Sequence, residues 1–554
     1  MSGAVASVAL ISTLHHAGWS LLLGVGLGAA YSVGLRPARR AYVDHLMAGA
    51  SLGVPLWGMV SVVAIPLLSG QRPAWSAEQM RQSFPVLVGW VVFGAILGFV
   101  HQALHDGAEY FFGPESFPAE PQISVSKRIV ILGGGFAGMR TAECLEEKLG
   151  TDFSVSVTLI NQTNALLFTP MLAEVAGSSL EPSHISTPLR STLHRTDFIR
   201  GVVTHVDLEK RVVLVRNNTS VEDTSSQREI PYDHLIFALG SISNYLGMAN
   251  VEKCAFNFKS LLDAIRIRNH VIEMFEHAEL ETQPAARSSL LTFVIAGGGF
   301  AGVELAGALN DFAHGILADY PKLQPNELKI VLVHSRDRVL PELSESLARY
   351  AQKKMEMRGV LFHLNARLVD ARPGVVVLSD AEIRSDTLVW TAGTAPHPLV
   401  KSLALEKDKR GGLVVDSTLA VPGHAGLWAL GDCAAVSDTT SGKACPPTAQ
   451  FAIREAELLA SNIVARLQGR PARGFHFDSL GALCVLGHQT ACAELTIPFA
   501  RNKSIRFSGL FAWAIWRGIY LAKLPGLERK IRVLMDWTIE LFFPRDIVQT
   551  IDLK

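Results

Sequence analysis

Two glycine triplets carry the most legible chemistry in this chain. The first is Gly133, Gly135 and Gly138, within KRIVILGGGFAGMRTAECLEEKL at 127–149. The second is Gly297, Gly299 and Gly302, within LTFVIAGGGFAGVELAGAL at 291–309. Both have GxGxxG spacing, follow a short apolar run and open a helical pattern. The first glycine allows a tight turn, the second lets backbone approach a pyrophosphate, and the third lets helix and strand pack closely. The phosphates then sit at a helix N-terminus, where free N–H groups and the helix dipole favour anions. The pairs Phe136-Ala137 and Phe300-Ala301 occupy the same places in the two loops. One such loop is a weak signal. Two of them, roughly a domain's length apart, argue for two dinucleotide sites rather than two ordinary strand-to-helix turns.

A loop of this kind works only at the end of a parallel strand, so each needs a doubly wound sheet around it. The apolar run at 155–160 predicts the second strand of the first sheet, ending at Asn161. An acid normally binds the adenosine ribose there, and Asn still hydrogen-bonds hydroxyls. Hairpin strands are expected at 211–215 and 229–232 around a polar tip, with an apolar strand at 234–239 ending in Gly240. For the second sheet, 330–333 is the matching strand. There His334, Ser335 and Arg336 stand where NADH enzymes often carry an acid. A strand at 388–390 turns at Gly393. A further strand at 427–430 runs into Gly431-Asp432, which places a carboxylate at the sheet's C-terminal edge, where ligands of such folds sit.

The chain has 554 residues, enough for several domains, with 51 Lys and Arg against 51 Asp and Glu, so its charge suggests no nucleic-acid partner. The hydrophobic fraction of 49% is high for a soluble enzyme. The six cysteines form no CxxC and no even framework, which fits a reducing compartment and argues against zinc. No metal site is expected.

Residues 1–107 are a different material. Apolar runs at 5–33, 46–68 and 84–104 each approach the roughly 20 residues needed to cross a bilayer. A basic n-region and a cleavage site followed by soluble sequence are both missing, so a signal peptide is not expected. Arg36, Arg39 and Arg40 place the end of the first run in the cytoplasm. Three crossings return the chain to that side before the first loop. The expected location is the cell's inner (plasma) membrane, multi-pass, with the catalytic part on the cytoplasmic face. His15, His16, His45, His101 and His105 decorate this region, with His101 and His105 on one helix face. A haem or metal site competes there with interhelical hydrogen bonding.

The other end changes character too. Residues 508–521 are apolar nearly all round but too short to span. Beyond Arg529, Ile531, Leu534, Met535, Thr538, Leu541 and Phe542 make one stripe, with Arg532, Asp536 and Glu540 on the other. Between Arg501 and Arg545 nine Lys and Arg face three Asp and Glu, and with Trp513, Trp516 and Trp537 this reads as an interfacial membrane helix pair. A core helix or a homodimer contact through the C-terminal region is the competing reading.

From Lys127 onward the chain resembles the type II NADH:quinone oxidoreductases, single-subunit flavoproteins with two dinucleotide-binding domains. The first loop matches the family's FAD loop and the second its nicotinamide-nucleotide loop, including Glu304. Leu167-Phe168-Thr169-Pro170-Met171-Leu172 and Glu174-Val175-Ala176 resemble the segment near the flavin ring. Val203 stands where a backbone contact to adenine is expected. Leu430-Gly431-Asp432-Cys433-Ala434 is similar to the motif whose Asp holds the ribityl chain. Pro447-Thr448-Ala449-Gln450 resembles the segment at the flavin–quinone junction, and Leu524-Pro525-Gly526 and Phe542-Phe543-Pro544-Arg545-Asp546 resemble the membrane-anchoring end. The departures are Asn161, His334 with Arg336, and Arg454 in place of a second Gln.

The resemblance implies FAD as cofactor, NADH or NADPH as donor, a membrane quinone as acceptor and membrane lipid as partner, without proton pumping. It places Glu304 and Gln450 beside the isoalloxazine, Glu304 to position the nicotinamide or relay a proton. Bland alternatives are a helix-N-terminal carboxylate for Glu304 and a helix-start hydrogen bond for Gln450.

The expected fold is α/β with two Rossmann-like domains, an N-terminal α-helical transmembrane region and a C-terminal amphipathic helical anchoring tail. The boundaries are 1–107 for the transmembrane region, 108–126 for a linker, 127–288 and 401–470 for the FAD-binding domain, 289–400 for the NAD(P)H-binding domain, and 471–554 for the quinone-side region. Two other functions compete: an NADPH-dependent biosynthetic reductase of a quinone precursor, and a membrane-tethered flavin redox sensor or assembly partner. A disulfide reductase is excluded, because Cys144 stands alone where a redox CxxxxC is needed. Sulfide:quinone chemistry is disfavoured by the lack of paired reactive cysteines and by the intact second loop.

Overall fold

Glycines set the packing of the N-terminal residues. The computed structural model describes residues 42–68, 70, 84–112, 125–150, 152–216, 227–497 and 504–549. It divides into two compact units, residues 1–122 and 123–554. In the first, helix α1 (Tyr42–Leu56) continues through a π-helical stretch, Trp57–Ala64, and a last turn, Ile65–Leu68. Helix α2 is Phe84–Phe112. A Cβ on Gly49 or Gly94 would strike the other's carbonyl, and one on Gly98 would strike that of His45. Gly49/Gly53 and Gly94/Gly98 are thus small-xxx-small pairs that let two backbones meet. His45 and His101 stack with ring centroids 5.3 Å apart. Among the described residues no cluster of three His, Cys, Asp or Glu is arranged to hold a metal. One described helix, over Pro85–Gly107, is long and apolar enough to cross a membrane by length and composition. The apolar run at 5–33, with His15 and His16, lies outside the described residues, as does most of the polar tip at 217–226.

In the second unit, β1 (Lys127–Leu132) is central in a five-stranded parallel sheet. Ile129 to Leu132 are each at most 1% exposed, the apolar run that a strand covered on both faces requires. Helix α3 (Phe136–Leu149) follows the glycine turn. On one side lie β2 (Val155–Asn161) and β3 (Asp197–Arg200); on the other lie β4 (His234–Phe237) and, from far along the chain, Leu427–Ala429. The expected hairpin forms between Val212–Arg216 and Gln227–Pro231, on the flank of this sheet.

The second sheet repeats the plan. Its strands are β5 (Phe256–Asn257), β6 (Thr292–Ala296), β7 (Lys329–Val333), β8 (Val360–His363) and β9 (Thr387–Trp390), in the parallel order β5-β9-β6-β7-β8. Helix α4 (Leu261–Leu280) lies between β5 and β6, and α5 (Phe300–Ile316) follows the glycine turn after β6. The chain then returns to the first sheet with β10 (Leu427–Ala429) and α6 (Ala449–Leu467), which packs on α3.

The last segment is a three-stranded antiparallel sheet, β11 (Gly481–Val485), β12 (Ala491–Thr496) and β13 (Ser504–Ser508), then α7 (Gly509–Lys523) and α8 (Leu527–Ile539). Ala512, Trp516, Val533 and Trp537 are buried in one core with α5 and α4. Leu510, Phe511, Leu534, Met535, Ile539, Phe542 and Phe543 are exposed. Val533 and Trp537 of α8 face the body, and so do Asp536 and the adjoining Glu540, while Arg532 is exposed. Asp536 Oδ2 meets His184 Nδ1 at 2.6 Å, and Glu540 pairs with Arg517 and Arg545, each at 2.9 Å. This pair of helices therefore buries Ala512, Trp516, Val533 and Trp537 together with the Asp536 and Glu540 ion pairs, and leaves a second set of large apolar side chains outward.

Candidate active site

The first loop is built as its spacing demands. Gly133 has φ +105°, and a Cβ there would strike the Ala238 carbonyl; one on Gly138 would overlap the Gly133 carbonyl. Asn161, at the end of β2, points its carboxamide back at the loop. Its Oδ1 accepts from Gly134 N at 2.9 Å, and its Nδ2 donates to Thr163 O at 2.9 Å. The side chain expected to wait for a ribose is therefore already engaged in shaping the turn. Phe136 stacks edge-on to Phe168, with centroids 5.7 Å apart. That contact ties the loop to the short turn Thr169–Met171, where Thr169 and Pro170 lie, and to the helix Leu172–Ala176. Val203 is half-buried on the strand Val202–Asp207.

The second loop repeats this arrangement with different chemistry. Gly297 has φ +127° against Thr391 and Ala392, and Gly302 packs on the Gly297 carbonyl. His334, at the end of β7, accepts from Gly298 N through Nδ1 at 3.1 Å. The proton is therefore on Nε2, which is buried and has no partner among the described residues. Burial, then Arg336, hold the imidazole below its ordinary pKa, so His334 is neutral at pH 7 and presents a single donor. Arg336 is exposed. Gly393 turns at φ +79° against the Asn244 carbonyl.

Asp432 stands at the C-terminal end of β10. A partly open cleft is lined there by Gly431, Asp432, Thr448 and Glu455 among others. Asp432 Oδ2 accepts from Ser241 Oγ at 2.7 Å, and Ser241 Oγ accepts from Lys259 Nζ at 3.0 Å. Glu455 is 2% exposed, accepts from Gly431 N at 2.7 Å and is pushed up to about 7 by burial. Sequence reasoning missed Ser241, Lys259 and Glu455. Lys259 alone carried a local signal, since it immediately precedes the capping pair Ser260 and Asp263.

Glu304, one turn into α5, is largely enclosed. Its Oε1 accepts from Val485 N at 3.3 Å, and burial pushes it up to about 8, with the charge of Glu174 adding to the effect. It therefore holds a proton at neutral pH. Glu174 is 7% exposed, and its Oε2 accepts from Trp537 Nε1 at 3.0 Å. Burial pushes it up to about 7 against the pull of Arg517. The Arg517 guanidinium lies 4.0 Å from the Trp513 ring and 4.5 Å from that of Trp537. Gln450 Oε1 accepts from Ser479 Oγ at 3.1 Å and from Leu480 N at 3.3 Å. Its carboxamide thus ties α6, which begins at Ala449, to the segment entering β11. Arg454 pairs with Glu457 at 2.8 Å on the same helix. Glu304 and Gln450 both hold the entry strand of the C-terminal sheet, from opposite ends of β11.

A family model described as pyridine nucleotide-disulphide oxidoreductase matches residues 127–456. Another, described as NDH2 C-terminal domain, matches residues 480–546. A probable NADH dehydrogenase of Dictyostelium discoideum is 32% identical over 76% of this chain and 91% of its own length. A type II NADH:quinone oxidoreductase of Mycobacterium tuberculosis is 31% identical over 74% of this chain and 87% of its own. Among solved structures, NDH2 from Plasmodium falciparum in complex with NADH superposes with a TM-score of 0.69 at 18% identity, covering 76% of this chain and 99% of that one. At that identity the likeness is one of α/β dinucleotide-binding fold.

Proposed function

Because this chain belongs to the type II NADH:quinone oxidoreductase family and is an oxidoreductase enzyme, we propose that it binds FAD at the first glycine loop and NAD(P)H at the second. A quinone reached from the lipid is then the acceptor. The observation that carries this is the doubled sheet, with Glu304 of the second loop's helix and the Phe136–Phe168 contact of the first both packed against the C-terminal segment. The residues present fit FAD: Gly133 and Gly138 keep the loop tight because a Cβ on either would strike backbone, Gly135 faces open space, and Asp432 lines an open cleft.

When bound, FAD supplies the two-electron chemistry between nucleotide and quinone. Gly133, Gly135, Phe136, Ala137 and Gly138 would hold its pyrophosphate. Asp432 and Gly431 would hold its ribityl chain, Val203 its adenine, and Thr169, Pro170, Ala449 and Gln450 its ring. Gly297, Gly299, Phe300, Ala301 and Gly302 would hold the nicotinamide nucleotide, Gly393 would border it, and His334 would donate from Nε2 to an oxygen of the adenosine ribose. Protonated Glu304 keeps a proton in the enclosed site, where quinone reduction consumes one. Trp537, Arg517 and Glu174 exclude water on the tail side.

The outward apolar residues of α7 and α8, flanked by lysines and arginines, support docking on lipid in preference to a homodimer. Pro85–Gly107 supports at least one crossing. The multi-pass topology, the cytoplasmic placement of the catalytic unit, the six-part domain division and the absence of proton pumping complete the reading. Anaerobic mixing of the purified protein with NADH and NADPH tests it. A bound flavin should bleach and recover its colour on adding a soluble quinone. Protein without flavin, or flavin that neither nucleotide bleaches, refutes it.

A further inference from the structure

Among the described residues Lys259 makes no direct ion pair. Its ammonium donates to Ser241 Oγ at 3.0 Å, and among the described residues no carboxylate oxygen lies within ion-pair distance of it. Ser241 is neutral and relays the contact, its own proton going to Asp432 Oδ2 at 2.7 Å. Burial lowers the pKa of the lysine, and the charge of Asp432 works against that. A part-buried ammonium whose one direct partner is neutral gains from an anion that completes it.

The lysine is also held in place. Its backbone N donates to Asp263 Oδ2 at 3.0 Å, and the same carboxylate receives Ser260 N at 2.7 Å in the capping box of α4. The positive end of that twenty-residue helix therefore lies at the same spot. Ser241 begins the strand Ser241–Ser243, which pairs with Thr394–Pro396, part of the wall of the Asp432 cleft.

We propose that Lys259 is the electrostatic anchor of the bound flavin, a positioning residue that acts with Ser241 and Asp432 and favours the reduced, electron-rich ring over the oxidised one. This rests on the FAD reading above. Accepting a hydride leaves negative charge on the isoalloxazine, and a fixed cation nearby stabilises that charge. The oxidised ring is neutral and gains less. Asp432 alone would do the opposite, since a carboxylate repels the same charge. Lys259 offsets it, and Ser241 holds the two apart by one hydroxyl.

The test uses the full-length protein with its flavin. Midpoint potentials are measured by dye-coupled reductive titration for wild type, Lys259→Gln, Lys259→Arg and Lys259→Met. Lys259→Gln keeps a donor for Ser241 and removes the charge. It should favour the oxidised flavin at least tenfold more than wild type does, a fall of about 30 mV for a two-electron couple. Lys259→Arg should recover most of this, and Lys259→Met should match or exceed the Gln variant. A Gln variant with wild-type potential makes Lys259 a structural tie and overturns the proposal. Where a variant does not retain flavin, its apoprotein is titrated with oxidised and with reduced FAD, and equal losses for the two forms overturn it as well. If the wild-type protein binds no FAD in either form, the functional reading itself falls.

Discussion

Replacing Glu304 with Gln should change how stability responds to pH, and the size follows from the site. Glu304 is raised from 4.5 to about 8 by burial. Its folded pKa lies above its unfolded one, so the folded protein keeps a proton that the unfolded chain releases. The resulting stabilisation is complete below pH 4.5 and is lost as pH rises through 8, at about 1.4 kcal/mol per pH unit. The full displacement corresponds to about 5 kcal/mol, and the residual solvent access of the carboxyl reduces this to about 3–4 kcal/mol. The carboxamide of the variant is neutral throughout and loses nothing. Glu174 and Glu455, both raised to about 7, are present in both proteins and cancel in the comparison. Thermal unfolding of wild type and Glu304→Gln is followed from pH 5 to pH 9. The two should melt together near pH 5, which also shows that the variant folds. At pH 9 the variant should melt higher by about 3–8 °C, allowing about 1–2 °C per kcal/mol for a unit of this size. Parallel curves across the range would mean that Glu304 is ionised in the folded protein, and the proton-holding role would fall.

Three further outcomes are expected. Arg517→Met should destabilise the second unit by about 3–5 kcal/mol, because Glu540 and Glu174 lose a cation in a buried site; denaturant unfolding close to that of wild type would show the network to be dispensable. Deleting residues 1–107 should leave a protein that still oxidises NAD(P)H and floats with anionic liposomes, more weakly at high salt, and Phe542→Ser with Phe543→Ser should reduce the flotation. A truncated protein that never floats makes the outward face of α8 a contact for protein. His334→Glu should shift the ratio of kcat/KM toward NADH by about ten- to a hundredfold, since a carboxylate accepts from a 2′-hydroxyl and repels a 2′-phosphate; an unchanged ratio refutes the assignment of this position to the ribose.

What depends on neighbours in the chain could be read from the residues in order. Gly133 and Gly297 require positive φ, and Gly138 and Gly302 require the absence of a Cβ. Those are backbone demands met within a few residues, so the loops, the strands before them and the parallel sheets around them could be read directly. The stripe of α8 was legible for the same reason, as a matter of helical period. Which side of that stripe faces outward was not. Asp536 turns inward to meet His184 from a distant part of the chain, and Glu540 to meet Arg517 of the preceding helix and Arg545 just beyond α8. Asn161 and His334 were placed correctly at their strand ends, but only the folded loops show each of them accepting a glycine N–H, which fixes the tautomer of His334. The chain Asp432–Ser241–Lys259 joins three segments with no local pattern in common. The raised pKa values of Glu304 and Glu174 come from desolvation by α7, α8 and β11, packed against them from hundreds of residues away. Local stereochemistry is written in spacing. Burial and charge pairing are set by what the fold brings alongside, from positions that no local pattern links.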